Sequence, residues 1–415
     1  MTRDDALALD AADPLASLRE QFALPAGVIY LDGNSLGALP RTAAARLQQV
    51  ATEEWGNGLI RSWNDAGWYT LSRRVGDKIA RLVGADAAEL VVADSTSVNL
   101  FKVLSAALTI AAADGRSRNV ILSERTNFPT DLYIAESLAR ERGLELKLVD
   151  AAEIASQLDE RIAVLTLTHV NYRTGLMHDM RALVDAAHAA GALTIWDLAH
   201  SAGAVPLELK AVNADFAIGC GYKFLNGGPG APAFVWVHPR HAERFQQPLS
   251  GWMGHAAPFD FTPGYRPAPG IARYLCGTPP LLSMAALECG VDTVLAAEPL
   301  GGMAALRAKS LALGRLFSQE VGTRCPALDC VSPADDAVRG SQVSFAHPRI
   351  AYPVMQALVA RGVIGDFRAP DILRFGLTPL YLRYVDAFDA AVHLQQVLES
   401  GEWQRPEFSQ RGHVT

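Results

Sequence analysis

Between residues 89 and 240, short apolar runs rich in β-branched residues alternate with longer stretches of helical periodicity. The runs are ELVVAD (89–94), NVILSE (119–124), LELKLVD (144–150), RIAVLTLTHV (161–170), ALTIWD (192–197), DFAIGCG (215–221) and APAFVWV (231–237). Between them stand segments such as MRALVDAAHAAGA (180–192), which carry a helical stripe and stop at a glycine. Continuous apolar runs, rather than alternating ones, belong to strands covered on both faces. Alternation with helices predicts a mostly parallel sheet in an α/β fold. The pattern changes at 250–280, where Gly, Pro and aromatic residues crowd into a long irregular connection. A helical stretch is expected from near Leu281 to about residue 320. A strand at SQVSFAH (341–347), a helix at PVMQALVARG (353–362) and the run ILRFGLTPLY (372–381) then predict a small α+β unit. Three pieces are expected: 1–45 as a segment docking on the small unit, 46–295 as the large domain, and 296–415 as the small one.

Composition narrows the function classes. The 415 residues are too many for one core. The net charge is −7, with both signs scattered, so no basic face offers itself to nucleic acid or an anionic membrane. The N-terminus has acids early and no apolar run of signal-peptide length, and no uninterrupted run of ~18 apolar residues suggests a membrane span. Five cysteines (220, 276, 289, 325, 330) are odd in number and lack a CxxC pair. They read as reduced thiols of a cytoplasmic protein, with no structural metal expected.

Three features follow one another within about sixty residues. ALTIWD ends on Asp197, with His200 just beyond; DFAIGCG runs into Tyr222-Lys223; and Gly227, Gly228 and Gly230 follow. Ligands of parallel α/β sheets sit beyond the carboxyl ends of strands, where Asp197 and Lys223 both fall. A lysine desolvated beside an apolar strand is deprotonated often enough to form a Schiff base. An aspartate facing a pyridine nitrogen keeps that ring protonated and able to accept electrons. Asp94-Ser95-Thr96-Ser97, before a helix expected to begin near Asn99, places hydroxyls and free N–H groups where a phosphate could bind. Phe128 and Asp131, after NVILSE, could stack on a planar ring and bond its edge. Arg374, in an otherwise apolar run, needs a carboxylate partner, either a structural one or an amino-acid substrate. Together these point to pyridoxal 5′-phosphate (PLP).

The chain resembles the kynureninase family of PLP-dependent fold-type-I (aspartate-aminotransferase-like) enzymes. The blocks carrying the resemblance are LDGNSLGALP (31–40), STSVNLF (95–101), NFPTD (127–131), THVNYRTG (168–175), WDLAHSAGAVPL (196–207), CGYKFLNGGPGAP (220–232), GWMGH (251–255), CGTPPLLS (276–283) and RFGLTPLY (374–381). The resemblance implies that Lys223 carries the cofactor and that Asp197 faces its ring nitrogen. Phe128 would stack on the ring and Asp131 would lie near its edge, with Thr168 and His200 close by. Thr96, Ser97 and Tyr222 would hold the phosphate. Trp252 and Thr278 would reach that site from the second subunit of a homodimer, and Arg374 would grip the α-carboxylate of L-kynurenine. Tyr222 is the candidate proton shuttle.

The resemblance also predicts preference for L-kynurenine over its 3-hydroxy derivative. Gly277 offers no side chain to meet a hydroxyl, and Trp63, just after the Asn57 loop, would supply an apolar wall. Two rivals stand beside this reading. A cysteine desulfurase or selenocysteine lyase needs a reactive loop cysteine; Cys325 precedes a proline and Cys330 opens a strand-like stretch, so both read as structural. A PLP-binding regulator needs a DNA-binding module, for which residues 1–45 are too short and too acidic.

Overall fold

The computed structural model describes residues 1–114 and 118–412; the last three positions of the expected 296–415 segment lie outside them. A short strand, β1 (Ile29–Tyr30), precedes the strands of the main sheet. These are β2 (Leu90–Val92), β3 (Val120–Glu124), β4 (Glu145–Val149), β5 (Ile162–Thr168), β6 (Leu193–Asp197), β7 (Phe216–Gly219) and β8 (Phe234–Val237), in the order β2-β8-β7-β6-β5-β3-β4. The pairs from β4 to β7 are parallel, and β8 runs antiparallel to both β7 and β2. The expected mostly parallel α/β sheet is therefore present.

Successive side chains of one strand enter opposite cores. Leu90 and Val92 join the core that holds Val75, Val184 and Leu287, whereas Val91 joins the core of Leu104 and Leu138. Burial on both faces is why these strands read as continuous apolar runs. The helix Thr96–Ala113 is long and apolar enough to cross a membrane by length and composition, yet 61% of it is buried in the protein. It begins three residues before the expected Asn99, because the Ser95 side chain caps it by accepting from Val98 N (3.3 Å).

The stretch expected to be helical from Leu281 to about 320 is two helices, Leu281–Leu295 and Gly302–Arg324. Pro299 and the positive-φ pair Gly301 (102°) and Gly302 (60°) separate them. Beyond lie β9 (Asp329–Cys330), β10 (Gln342–Ala346), β11 (Val363–Ile364), β12 (Asp366–Arg368) and β13 (Ile372–Gly376). Four of them form an antiparallel sheet in the order β12-β13-β10-β9, while β11 pairs parallel with β1. The helix Arg3–Ala11 lies along Tyr384–Ser400, fixed by Arg3–Asp389 (2.9 Å), and the nearly buried pair Lys309–Asp13 (2.7 Å) follows it. The segment after β1 then runs between the two sheets: Gly376 N donates to Leu31 O (2.6 Å), and Gly37 N donates to Tyr222 O (2.8 Å).

Candidate active site

One edge of the main sheet collects the chemistry. β2 runs into Asp94 and the capped helix start Ser95–Thr96–Ser97. β3 leads to Phe128, which caps the helix Pro129–Arg142, with Asp131 in its first turn. β5 ends on Thr168, β6 on Asp197, and β7 leads into Cys220–Lys223. Because β8 is reversed, the turn Pro229–Ala233 enters it from the same edge. These segments line a cavity of about 620 Å³, within the usual size of small-molecule sites. Thr96, Ser97, Phe128, Asp131, Thr168, Asp197, His200, Tyr222 and Lys223 all face it.

Lys223 Nζ lies 3.0 Å from His200 Nε2 and 5.9 Å from the centre of the Phe128 ring. Burial lowers the Lys223 pKa from its ordinary value, favouring the free amine. Burial, together with Lys223 and two arginines, pushes His200 well down, so its imidazole is neutral. Burial and the neighbouring Asp197 carboxylate raise Asp131 well above its ordinary range. Burial also raises Asp197, but Lys223, the Ala199 N–H (2.8 Å) and a bond from Asp131 oppose the rise. Both carboxyls are thus pushed up, and Asp131 is the one whose surroundings favour its proton more strongly. Thr168 Oγ1 donates to Asn127 Oδ1 and lies 3.4 Å from Asp131 Oδ2. The Phe128 ring is held edge-on by Tyr172, with centroids 5.3 Å apart.

Comparison with known proteins decides the family. Over 419 aligned residues the chain is 57% identical to the curated kynureninases of Burkholderia pseudomallei (strain K96243) and Pseudomonas fluorescens, covering 100% of both chains in each case. Residues 306–394 match the model of the kynureninase C-terminal domain. The chain belongs to the kynureninase family. Solved structures similar in fold include a C-DES mutant with glycine covalently linked to its PLP cofactor (TM-score 0.79, 17% identity, 91% of this chain and 98% of that one). Another is the apo cysteine desulfurase of Thermococcus onnurineus NA1 (TM-score 0.76, 19% identity, 92% and 97%).

The cavity of this kynureninase-family chain fits PLP in the chemistry of its donors. It offers a desolvated amine, a buried carboxylate, an aromatic face, and a helix start bearing hydroxyls. Not every expected residue reaches it. Arg374 is buried in β13 and paired with Asp366, its Nε donating to Oδ1 at 2.8 Å; it also donates to Ser35 Oγ (2.8 Å) and Tyr172 O (2.7 Å). Among the described residues it reaches the cavity lining by its hydrogen bond to Tyr172, and its charge is felt by His200 and Lys223. Trp252 is 38% exposed, and Asn57, Gly277 and Thr278 are exposed. Trp63 packs edge-on against Trp68 (6.1 Å). None of these five lines the cavity within one chain, although Gly277 and Thr278 border a small void beside it that shares Asp94 and Pro280. Of the two cysteines weighed above, Cys325 is buried and Cys330 exposed, and neither lines the cavity; the lining thiol is Cys220.

Sequence reasoning gave no role to Tyr172, Thr130 or the backbone turn Pro229–Ala233. Tyr172 stood within the THVNYRTG block, but nothing in the spacing marked it. Ser35 carried no signal because it lies 339 positions from Arg374, and Asp366, eight positions away, carried none because only the pairing of β12 with β13 sets it opposite Arg374.

Proposed function

We propose that this protein is a PLP-dependent kynureninase of kynurenine breakdown. It hydrolyses the Cβ–Cγ bond of L-kynurenine, consuming one water, to give anthranilate and L-alanine. The observation that carries the reading is a desolvated lysine, Lys223, facing a buried carboxylate in one cavity of a chain that matches curated kynureninases from end to end. PLP, when bound, supplies the electron sink that lets bonds to the substrate's Cα and Cβ break.

The residues have distinct tasks. Lys223 would hold the cofactor, and its amine, made less basic by burial, would take the Cα proton. The neutral His200 beside it adds no positive charge. Asp197, faced by Lys223 and bonded by the Ala199 N–H, would face the ring nitrogen, and Phe128 would cover the ring. Thr96, Ser97 and the N–H groups of that helix start hold the phosphate. Burial raises the Tyr222 phenol, so it remains protonated and can donate a proton to Cβ, the carbon that stays with the alanine product. Arg374, held by Asp366, meets the α-carboxylate. The protein works as a cytoplasmic homodimer, with Trp252 and Thr278 completing the partner's site. Desulfuration is the weaker reading, since the structures similar in that respect share only the fold.

The test is direct. Purified enzyme given L-kynurenine should yield anthranilate fluorescence, and borohydride should fix the cofactor on the peptide containing Lys223. The specificity constant for L-kynurenine should exceed that for the 3-hydroxy compound by about ten- to a hundredfold. No anthranilate, or labelling at another lysine, refutes the assignment.

A further inference from the structure

Lys102 is the one fully buried lysine among the described residues, and the proposed reaction leaves it without a task. It lies on the helix Thr96–Ala113, below the start that lines the cavity. Its ammonium pairs with the Asp94 carboxylate and donates to Asn99 Oδ1 (3.4 Å) and to the Tyr274 carbonyl (2.7 Å). These bonds use all three of its N–H donors. A buried ammonium is costly unless its protons are bonded, and here each bond ends on a segment bordering the site.

Asp94 is where the geometry is tightest. It has φ +48°, a left-handed conformation for a residue other than glycine, of the kind that persists only when its surroundings enforce it. Ala233 N donates to its carbonyl (2.8 Å), and the Asn99 side chain donates to Ala93 O (2.7 Å). The corner Ala93–Asp94–Ser95, which aims the hydroxyls of Thr96 and Ser97, is thus wired from beneath. Charge acts in the same sense. The Asp94 carboxylate borders the cavity and would repel a phosphate there; Lys102 draws it down and neutralises it.

We propose that Lys102 is a positioning residue for the cofactor's phosphate: it fixes the turn that receives the phosphate and holds the Asp94 carboxylate away from it, without touching the ligand. The Tyr274 bond extends this hold to the segment leading to Gly277 and Thr278. The inference rests on the reading of Ser95–Ser97 as the phosphate site.

Its readout is the preference of the full-length enzyme, stripped of cofactor, for PLP over pyridoxal, which lacks the phosphate. Both are titrated by visible absorbance, with circular dichroism to verify the fold. Lys102→Met should weaken PLP binding by about tenfold or more while leaving pyridoxal within about twofold, the size expected for a lost bond to a charged group. Lys102→Gln, a milder change should Lys102→Met not fold, keeps a donor but loses the charge and should reduce the same preference by a smaller factor. Equal weakening toward both ligands, or an unchanged preference in Lys102→Gln, overturns the proposal. Ser97→Ala separates the two layers. If it erases the preference while Lys102→Met keeps it, the positioning role falls and the phosphate site stands. If neither changes it, the phosphate site falls and takes the inference with it.

Discussion

Two carboxyls that share a dry pocket do not both ionise, and Asp131 and Asp197 divide the labour accordingly. Burial and the Asp197 carboxylate push Asp131 well up; burial also raises Asp197, against Lys223, the Ala199 N–H and a bond from Asp131, and Asp197 is the proposed partner of a protonated ring nitrogen. Asp197→Asn keeps the shape and removes the charge. Turnover should fall by about two to three orders of magnitude, as for other lost charge-stabilising contacts, with the thermal midpoint little changed; activity within about threefold of wild type would refute the role. At the opposite edge of the sheet, Asp215 accepts from Thr194 N (2.8 Å), His188 Nε2 (2.8 Å), His241 Nε2 (2.8 Å) and Arg240. Burial alone would raise this carboxyl, but the two histidines and the arginine hold it well below the usual range. A depressed carboxylate pKa contributes stability that is present above the unfolded value of about 3.9 and is lost as pH falls through the folded one. Asp215→Asn should therefore cost about 3–5 kcal/mol at neutral pH, and the gap to wild type should narrow below about pH 4. A gap in denaturation midpoint that stays constant across that range would contradict the linkage.

At the scale of elements, the site depends on where segments end and how closely they approach. β2, β5, β6 and β7 all finish at one edge, and the segment after β1 passes within hydrogen-bonding range of the Tyr222–Lys223 turn. Gly37 permits that approach: a Cβ there would lie 2.5 Å from Lys223 O and 2.6 Å from Asn226 Cα. Gly37→Ala should push the segment off the turn and cost about 1–3 kcal/mol, as overpacking does. A displaced visible absorption band of the bound cofactor would reveal it, and wild-type spectrum and kinetics would count against it. Element boundaries were partly legible beforehand. The strands announced themselves because both faces are buried. The break before Gly302–Arg324 was missed, because hydrophobic periodicity continues across it and only the Pro299 and Gly301-Gly302 punctuation marks it.

For the whole molecule, Trp252, expected at the site but standing outside the cavity, belongs to an exposed aromatic cluster. Trp252 contacts Phe259, which in turn contacts Phe261, and the exposures of the three are 38%, 57% and 80%. An apolar groove of about 460 Å³ lies between Trp55 and Leu281–Ser283. Apolar surface on this scale marks an interaction face, and a second copy is the partner proposed here. Mixing the inactive variants Lys223→Ala and Trp252→Ala should restore partial activity, because a hybrid dimer assembles one intact site from two chains. No recovery despite verified subunit exchange would exclude a shared site.

The sequence by itself determined the class of fold and set Lys223 and Asp197, the proposed cofactor lysine and its acid, at the ends of strands. Those properties are local: apolar runs long enough to be buried strands, and chemical residues placed at their ends. It also marked Arg374 as an arginine that needed a carboxylate, since an unpaired guanidinium in an apolar strand is too costly to persist. Only the tertiary structure decided which carboxylate answers it in the free chain, Asp366 with Ser35 beside it. It likewise decided that Lys102 lies beneath the turn Ala93–Asp94–Ser95 and that Asp131 shares a pocket with Asp197. These pairings join residues from eight to over three hundred positions apart. Burial converts each into a strong preference for one protonation state or orientation, and burial arises only once the sheets and helices have packed.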